Sequence, residues 1–170
     1  MLIVADALTA LITMHYKAHF NRPRPTQIVP KLMSPIQHGG HASYPSGHST
    51  QAHAFARLLR EVIPPSLDLP VPDEETESEH TKKAASARAK KIASVHSKQT
   101  AIETSLGVLA DRIARNREIA GLHYPSDTAA GVKLAAQITE KIFLDPDYLP
   151  SFKLLVDGAR NEWKRTGIFP

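Results

Sequence analysis

Three short stretches of this chain concentrate side chains that a packed core does not need. The first is Lys17-Ala-His-Phe-Asn-Arg-Pro-Arg-Pro25, where Arg24 follows Lys17 after six intervening residues and is flanked by prolines. Proline fixes φ and so limits where the guanidinium can point. A lysine and an arginine presented this way suit an anion with several oxygens, because arginine grips such groups through paired hydrogen bonds. Taken alone, the stretch also reads as basic residues favouring a helix dipole. The second is Ser43-Tyr-Pro-Ser-Gly-His-Ser-Thr50. Its Ser46 and Gly47 open a helix whose first N–H groups are unpaired, and glycine allows close approach of a ligand. His48 there is placed to move a proton near neutrality. The plainer alternative makes Ser46 an N-cap and His48 a surface residue. The third is Arg117-Glu-Ile-Ala-Gly-Leu-His-Tyr-Pro-Ser-Asp127. Asp127 either serves a helix start as its carboxylate or accepts a hydrogen bond from one ring nitrogen of His123. The second arrangement leaves the other nitrogen free to attack or to coordinate.

The elements that must carry these stretches read as helices. Residues Leu2 to Phe20 place Leu2, Ile3, Ala5, Leu8, Leu11, Ile12 and Tyr16 at helical spacing. Asn21 to Ser46 holds too many prolines and glycines for regular structure, and a loop of that length in a compact domain is usually functional. A second helix is expected from the Ser46-Gly47-His48 turn to Val62, a third over Ser97–Ile119, a fourth over Ser126–Phe143 and a fifth over Ser151–Arg165. Pro70 to Lys91, an acidic cluster followed by a basic one, reads as a flexible surface insertion. No alternating strand pattern is present, so the class is all-α.

The bulk numbers limit the chemistry. A length of 170 residues with 42% hydrophobic composition fits one domain over residues 1–170. The net charge of +4 favours a small anionic substrate and is too slight for a nucleic-acid footprint. With no cysteine, disulfides and thiolate metal sites are excluded. The apolar run Met1 to Met14 is too short to span a bilayer, and no basic start marks a secretory signal. The chain opens directly inside a helical pattern, as expected of a piece cut from a longer one. A soluble protein is expected, periplasmic or secreted if a signal has been removed and otherwise cytoplasmic, with its oligomeric state open.

In order and spacing, Lys17 to Arg24-Pro25, then Pro45-Ser-Gly-His48, then Arg117 to His123 to Asp127 resemble the signature of the type-2 phosphatidic acid phosphatase superfamily. That superfamily includes the bacterial class A acid phosphatases and the vanadium-dependent haloperoxidases. The resemblance covers Lys17 to Gly131 and implies a helical bundle with the pocket at one end, here lacking N-terminal helices. It further implies that Lys17, Arg24 and Arg117 hold the oxyanion, with Ser46 and Gly47 adding hydrogen bonds. In a phosphatase His123 is then the nucleophile, His48 protonates the leaving oxygen, Asp127 orients His123, and no cofactor or metal is required. In a haloperoxidase the same residues bind vanadate, with His123 as axial ligand. His41, seven positions before His48, is similar to a histidine of algal bromoperoxidases and marks a halide or substrate pocket together with Met14. Met14 itself departs from the tryptophan those enzymes place three residues before the lysine. Asn116 replaces the serine that many phosphatases have before the arginine.

Length and the intact set of site residues favour a metal-independent phosphatase acting on phosphomonoesters or related phosphoanhydrides. The alternatives are a vanadate-dependent haloperoxidase and, in a different class, a non-catalytic helical binding domain with a vestigial anion pocket.

Overall fold

A computed structural model describes residues 1–29, 31–37, 39–63 and 85–165. All regular structure among the described residues is helical: α1 (Leu2–Phe20), α2 (Pro25–Ile28), α3 (Gly47–Val62), α4 (Ala85–Ile119), α5 (Pro125–Ile138), a π-helical turn (Thr139–Phe143) and α6 (Pro150–Arg165). The expected all-α class holds. No described helix is long and apolar enough to cross a membrane.

Three boundaries differ from the expectation. The stretch Asn21 to Ser46 is not wholly irregular. Pro25 starts one turn of helix, its missing N–H costing nothing at that position, and the Arg24 N–H donates to Gln27 Oε1 at 2.7 Å. Helix α4 begins at Ala85 rather than Ser97, so Ala85–Lys91, read as part of the insertion, is helical. The alanines, lysines and arginine there are good helix formers whatever their charge. The rest of the expected insertion, 70–84, lies outside the described residues. The expected fourth helix ends as α5 at Ile138 and continues as the π-helical turn, after which the Leu144 N–H donates to Thr139 O at 2.9 Å.

Helix α3 is the hub, packing against α1, α4, α5 and α6. Its C-terminal residues Leu58 and Val62 join Leu134 and Ile138 of α5, Phe143, and Phe152 and Val156 of α6 in the apolar core. Phe143 and Phe152 stack at 4.5 Å between centroids. Burying an aromatic of this size contributes about 1.5–3 kcal/mol. The N-terminal ends of α3 and α5 meet at the opposite end, where the Ser46 N–H donates to Asp127 O at 3.0 Å and Ser49 Oγ to Thr128 O at 2.9 Å. Both helices therefore point the positive ends of their dipoles at one place. Gly131 makes this approach possible, since a Cβ there would stand 2.8 Å from Ser46 O and 2.7 Å from Ser49 Cβ.

Helix α1 buries Ala5, Thr9, Thr13 and Lys17, one residue every turn. Of the apolar stripe read from periodicity, Ala5 is buried and Leu8 and Ile12 pack against the core in part, while Leu2, Ile3, Leu11 and Tyr16 are exposed. The contact with α3 is close, a Cβ on Gly47 falling 3.7 Å from Thr13 Cγ2 and 4.0 Å from Lys17 Cε. Small side chains and one lysine stem fit there and leucines do not.

Candidate active site

Each site residue is fixed by a local device. Helix α1 ends at Asn21, whose φ of 41° is tolerated because asparagine visits the left-handed region more readily than most residues. Lys17 in the last turn is buried, and its Nζ donates to the carbonyls of Ala42 at 2.7 Å and Ser43 at 3.0 Å. The second stretch folds back beside the first, the Ser43 N–H donating to Arg22 O at 2.9 Å. Ser46 then caps α3, its hydroxyl accepting from the Ser49 N–H at 3.4 Å.

At the end of α4 the Leu122 N–H donates to Arg117 O at 3.0 Å and the Gly121 N–H to Glu118 O at 2.8 Å. This is a Schellman pairing, which needs a left-handed residue, and Gly121 has φ 71°. The turn brings His123 round to the side of α4 on which Arg117 lies. Pro125 opens α5, and Asp127 in its first turn accepts the Tyr124 N–H at 3.0 Å.

These devices deliver Lys17, Arg24, His41, Gly47, His48, Arg117 and His123 to one cavity of about 310 Å³, which Met14, Thr13, Ala10, Gly39 and Gln51 also line. Asp127 stands behind His123, fully buried. Ser46 does not line the cavity; its hydroxyl is engaged as the helix cap.

The hydrogen bonds assign the tautomer of His123. Its Nδ1 lies 3.3 Å from Asp127 Oδ2 and its Nε2 lies 3.4 Å from Arg24 Nη1. A carboxylate only accepts and a guanidinium only donates, so Nδ1 carries the proton and the Nε2 lone pair faces Arg24 in the cavity wall. Arg24 also donates to Leu122 O at 2.9 Å and to His41 O at 3.2 Å, and its Nη2 lies 3.2 Å from His41 Nδ1, spanning the two loops that close the pocket.

Electrostatics follow from crowding cations in a partly dry site. Burial, with Arg24 adding to it and Asp127 opposing it, lowers Lys17 to about 8. Burial likewise lowers His123, its hydrogen bond with Asp127 resisting and Lys17 and Arg24 assisting. His48 is lowered by burial and then by Arg117, His123, Lys17 and Arg24, and His41 by burial with Lys17 and Arg24 adding to it. Burial alone would raise Asp127. The hydrogen bond from His123, the Tyr124 N–H and Arg22 more than offset that and hold it below the ordinary carboxylate value. Arg117 Nε is buried without a hydrogen-bond partner. A buried guanidinium N–H left unpaired is costly, and an oxyanion in the cavity would relieve it.

A family model, the VCPO second helical-bundle domain, matches residues 33–145. The chain belongs to that family. The match places it in the vanadium haloperoxidase-like superfamily. No curated protein matches the chain. The span matched to the VCPO second helical-bundle domain contains His48, Arg117, His123 and Asp127, while Lys17 and Arg24 precede it and join the site through the geometry just described.

Sequence reasoning missed Arg22. Its Nη1 donates to Asp127 Oδ1 at 2.8 Å and to Ser126 Oγ at 2.7 Å, and its guanidinium lies 4.0 Å over the Tyr124 ring. Nothing in the sequence marks it, since its partner Asp127 lies 105 residues away along the chain.

Proposed function

We propose that the chain is a phosphatase that hydrolyses phosphomonoesters or related phosphoanhydrides through a phosphohistidine on His123, without needing a divalent metal. The observation that carries this reading is the His123 lone pair, fixed by Asp127 on the far nitrogen and turned to a cavity walled by Lys17, Arg24 and Arg117.

In the first half-reaction Nε2 attacks phosphorus, the bond to the leaving oxygen breaks, and His48 gives that oxygen its proton. In the second, water attacks the phosphohistidine and returns a proton to His48, releasing phosphate and restoring Nε2. The charge on the non-bridging oxygens is offset by Lys17, Arg24 and Arg117, which serve where magnesium serves in other phosphoryl transfers. Burial and the surrounding cationic groups depress His48. A phosphate dianion offsets the cationic part of that depression and so favours a proton on His48 as substrate enters.

A second reading is vanadate-dependent halide oxidation, which is compatible with the family match as the phosphatase reading is. The donor set and the unpaired Arg117 Nε fit the oxyanion vanadate as well as phosphate. Lys17, Arg24 and Arg117 would hold it, with His123 supplying a nitrogen donor. Bound vanadate would supply activation of peroxide towards halide.

The test compares an alkyl and a nitrophenyl phosphate on the wild type, His123→Ala and His48→Ala, beside bromide oxidation with added vanadate and peroxide. His123→Ala is expected to abolish hydrolysis of both esters. His48→Ala should slow the alkyl ester by ~10²–10⁴-fold and the activated ester far less. Equal slowing of both esters by His48→Ala, or persistent turnover by His123→Ala, sinks the assigned roles. Bromide oxidation without ester hydrolysis selects the second reading.

A further inference from the structure

Asp127 is fully buried, and its two oxygens are divided between different partners. Oδ2 takes the His123 Nδ1 proton and the Tyr124 N–H, whereas Oδ1 takes Arg22 Nη1. Arg22 is held from four directions. It donates to Ser126 Oγ and to Asp127, it stacks on the Tyr124 ring, and its own carbonyl accepts the Ser43 N–H. It does not line the cavity, in contrast to Arg24 and Arg117. A half-exposed ion pair is usually worth little. Here one partner is wholly buried and bonded to the reacting histidine, so the pair fixes an orientation more than it adds stability.

We propose that Arg22 is a positioning residue that acts on His123 through Asp127, locking the carboxylate so that Oδ2 stays on Nδ1 while Nε2 stays in line with the anion. The physical reason is rotational. A carboxylate held only through Oδ2 can turn about its Cβ–Cγ bond and exchange its oxygens, and a charge-assisted bond on Oδ1 stops that turn. Ser126 Oγ accepts from the same Nη1 and the Tyr124 ring covers one face of the guanidinium, and both residues belong to the start of α5, which also carries Asp127. Arg22 thus joins the loop after α1 to the element bearing the carboxylate. This inference rests on the reading of His123 as the reacting group.

The test is a double-mutant cycle on Arg22→Gln, Asp127→Asn and the double variant, with Arg22→Lys as the conservative replacement. Turnover of nitrophenyl phosphate, KM, inorganic phosphate affinity and thermal midpoint are measured for each. Outer partners of this kind typically contribute ~10–100-fold. Arg22→Gln is therefore expected to lower kcat about tenfold or more with KM and phosphate affinity within about twofold. Arg22→Lys should recover part of the loss, and Arg22→Gln should cost nothing further once Asp127 is Asn. Additive losses in the cycle, or a rise in KM matching the fall in kcat, overturn the inference by showing that Arg22 touches substrate directly. Failure of both Arg22→Gln and Arg22→Lys to fold makes the side chain a strut and overturns it too. A wild type that turns over neither ester, nor bromide with vanadate, removes the proposed function and this inference together. Wild-type turnover with an additive cycle removes the inference alone.

Discussion

Gly131→Ala is the most informative single perturbation, because two opposing effects of known size meet there. An added Cβ would stand 2.7 Å from Ser49 Cβ and 2.8 Å from both Ser49 Oγ and Ser46 O. Ser46 O cannot give way easily, since it accepts the Thr50 N–H at 3.0 Å and Thr50 Oγ1 at 2.9 Å. Overpacking of this kind costs about 1–3 kcal/mol, and the backbone oxygen places it at the upper end. Helix propensity works the other way and returns about 1 kcal/mol when Ala replaces Gly. The net is a loss of about 2 kcal/mol, or a fall in Tm of about 4–8 °C for a domain of this size. Gly107→Ala is the control. Gly107 lies in α4 with no atom within 4 Å of where its Cβ would stand and no positive φ, so the propensity gain stands alone and Tm should rise by about 2–4 °C. Parting α3 from α5 also strains the Ser46 to Asp127 hydrogen bond, so phosphate affinity should fall in Gly131→Ala and hold in Gly107→Ala. Thermal melts by circular dichroism and phosphate titration calorimetry read both quantities. A Gly131→Ala protein that melts within a degree of wild type and binds phosphate normally would refute the claim that this contact sets the register of the site.

Lys17 gives a pH prediction with a definite sign: as pH rises through about 8 it loses its proton, so sulfate affinity should fall and binding above that pH should take up a proton, measured by calorimetry in buffers of different ionisation enthalpy. In the anion-free protein the folded value lies below the ordinary 10.5, so unfolding takes up a proton between the two and this group's contribution to stability rises with pH across that window. Gly121→Ala combines a φ of 71° with a Cβ 2.8 Å from Leu32 Cδ2, and should cost at least ~1–2 kcal/mol in urea unfolding with an unchanged m-value while slowing turnover through displacement of His123. Thr13 Oγ1 is buried and unpaired, so Thr13→Val should hold or raise the urea midpoint, and a clear drop would show that the hydroxyl has a partner after all.

The site was legible in the sequence to the extent that its chemistry is rare. Two histidines, a lysine and two arginines in proline- and glycine-punctuated stretches have no core role, and all of them line the cavity. Arg22 was not legible, because an arginine in a loop reads as surface charge until the fold shows Asp127 beside it. The bounds of α1 matched well since no breaker interrupts Leu2–Phe20. Its buried face matched only in part: Ala5 is buried as read, but periodicity weighs large apolar side chains and passes over Thr9, Thr13 and Lys17, the last two of which face α3 at Gly47. The start of α4 was placed late for a related reason, the charges near Lys91 masking residues that favour helix.

Helix α1 packs chiefly on α3, and its tie into the pocket is the Lys17 ammonium on two loop carbonyls. A helix held along one side opens by local unfolding at lower free energy than the hub it leans on. An anion gripped jointly by Lys17, Arg24 and Arg117 adds its binding free energy to the closed form alone, and in proportion to the logarithm of its concentration. The backbone amides of α1 thereby become a gauge of occupancy: their exchange with solvent deuterium slows as the pocket fills, and those of α3 and α5 around Leu58 and Ile138, which exchange only through global unfolding, slow by the same factor from a lower starting rate.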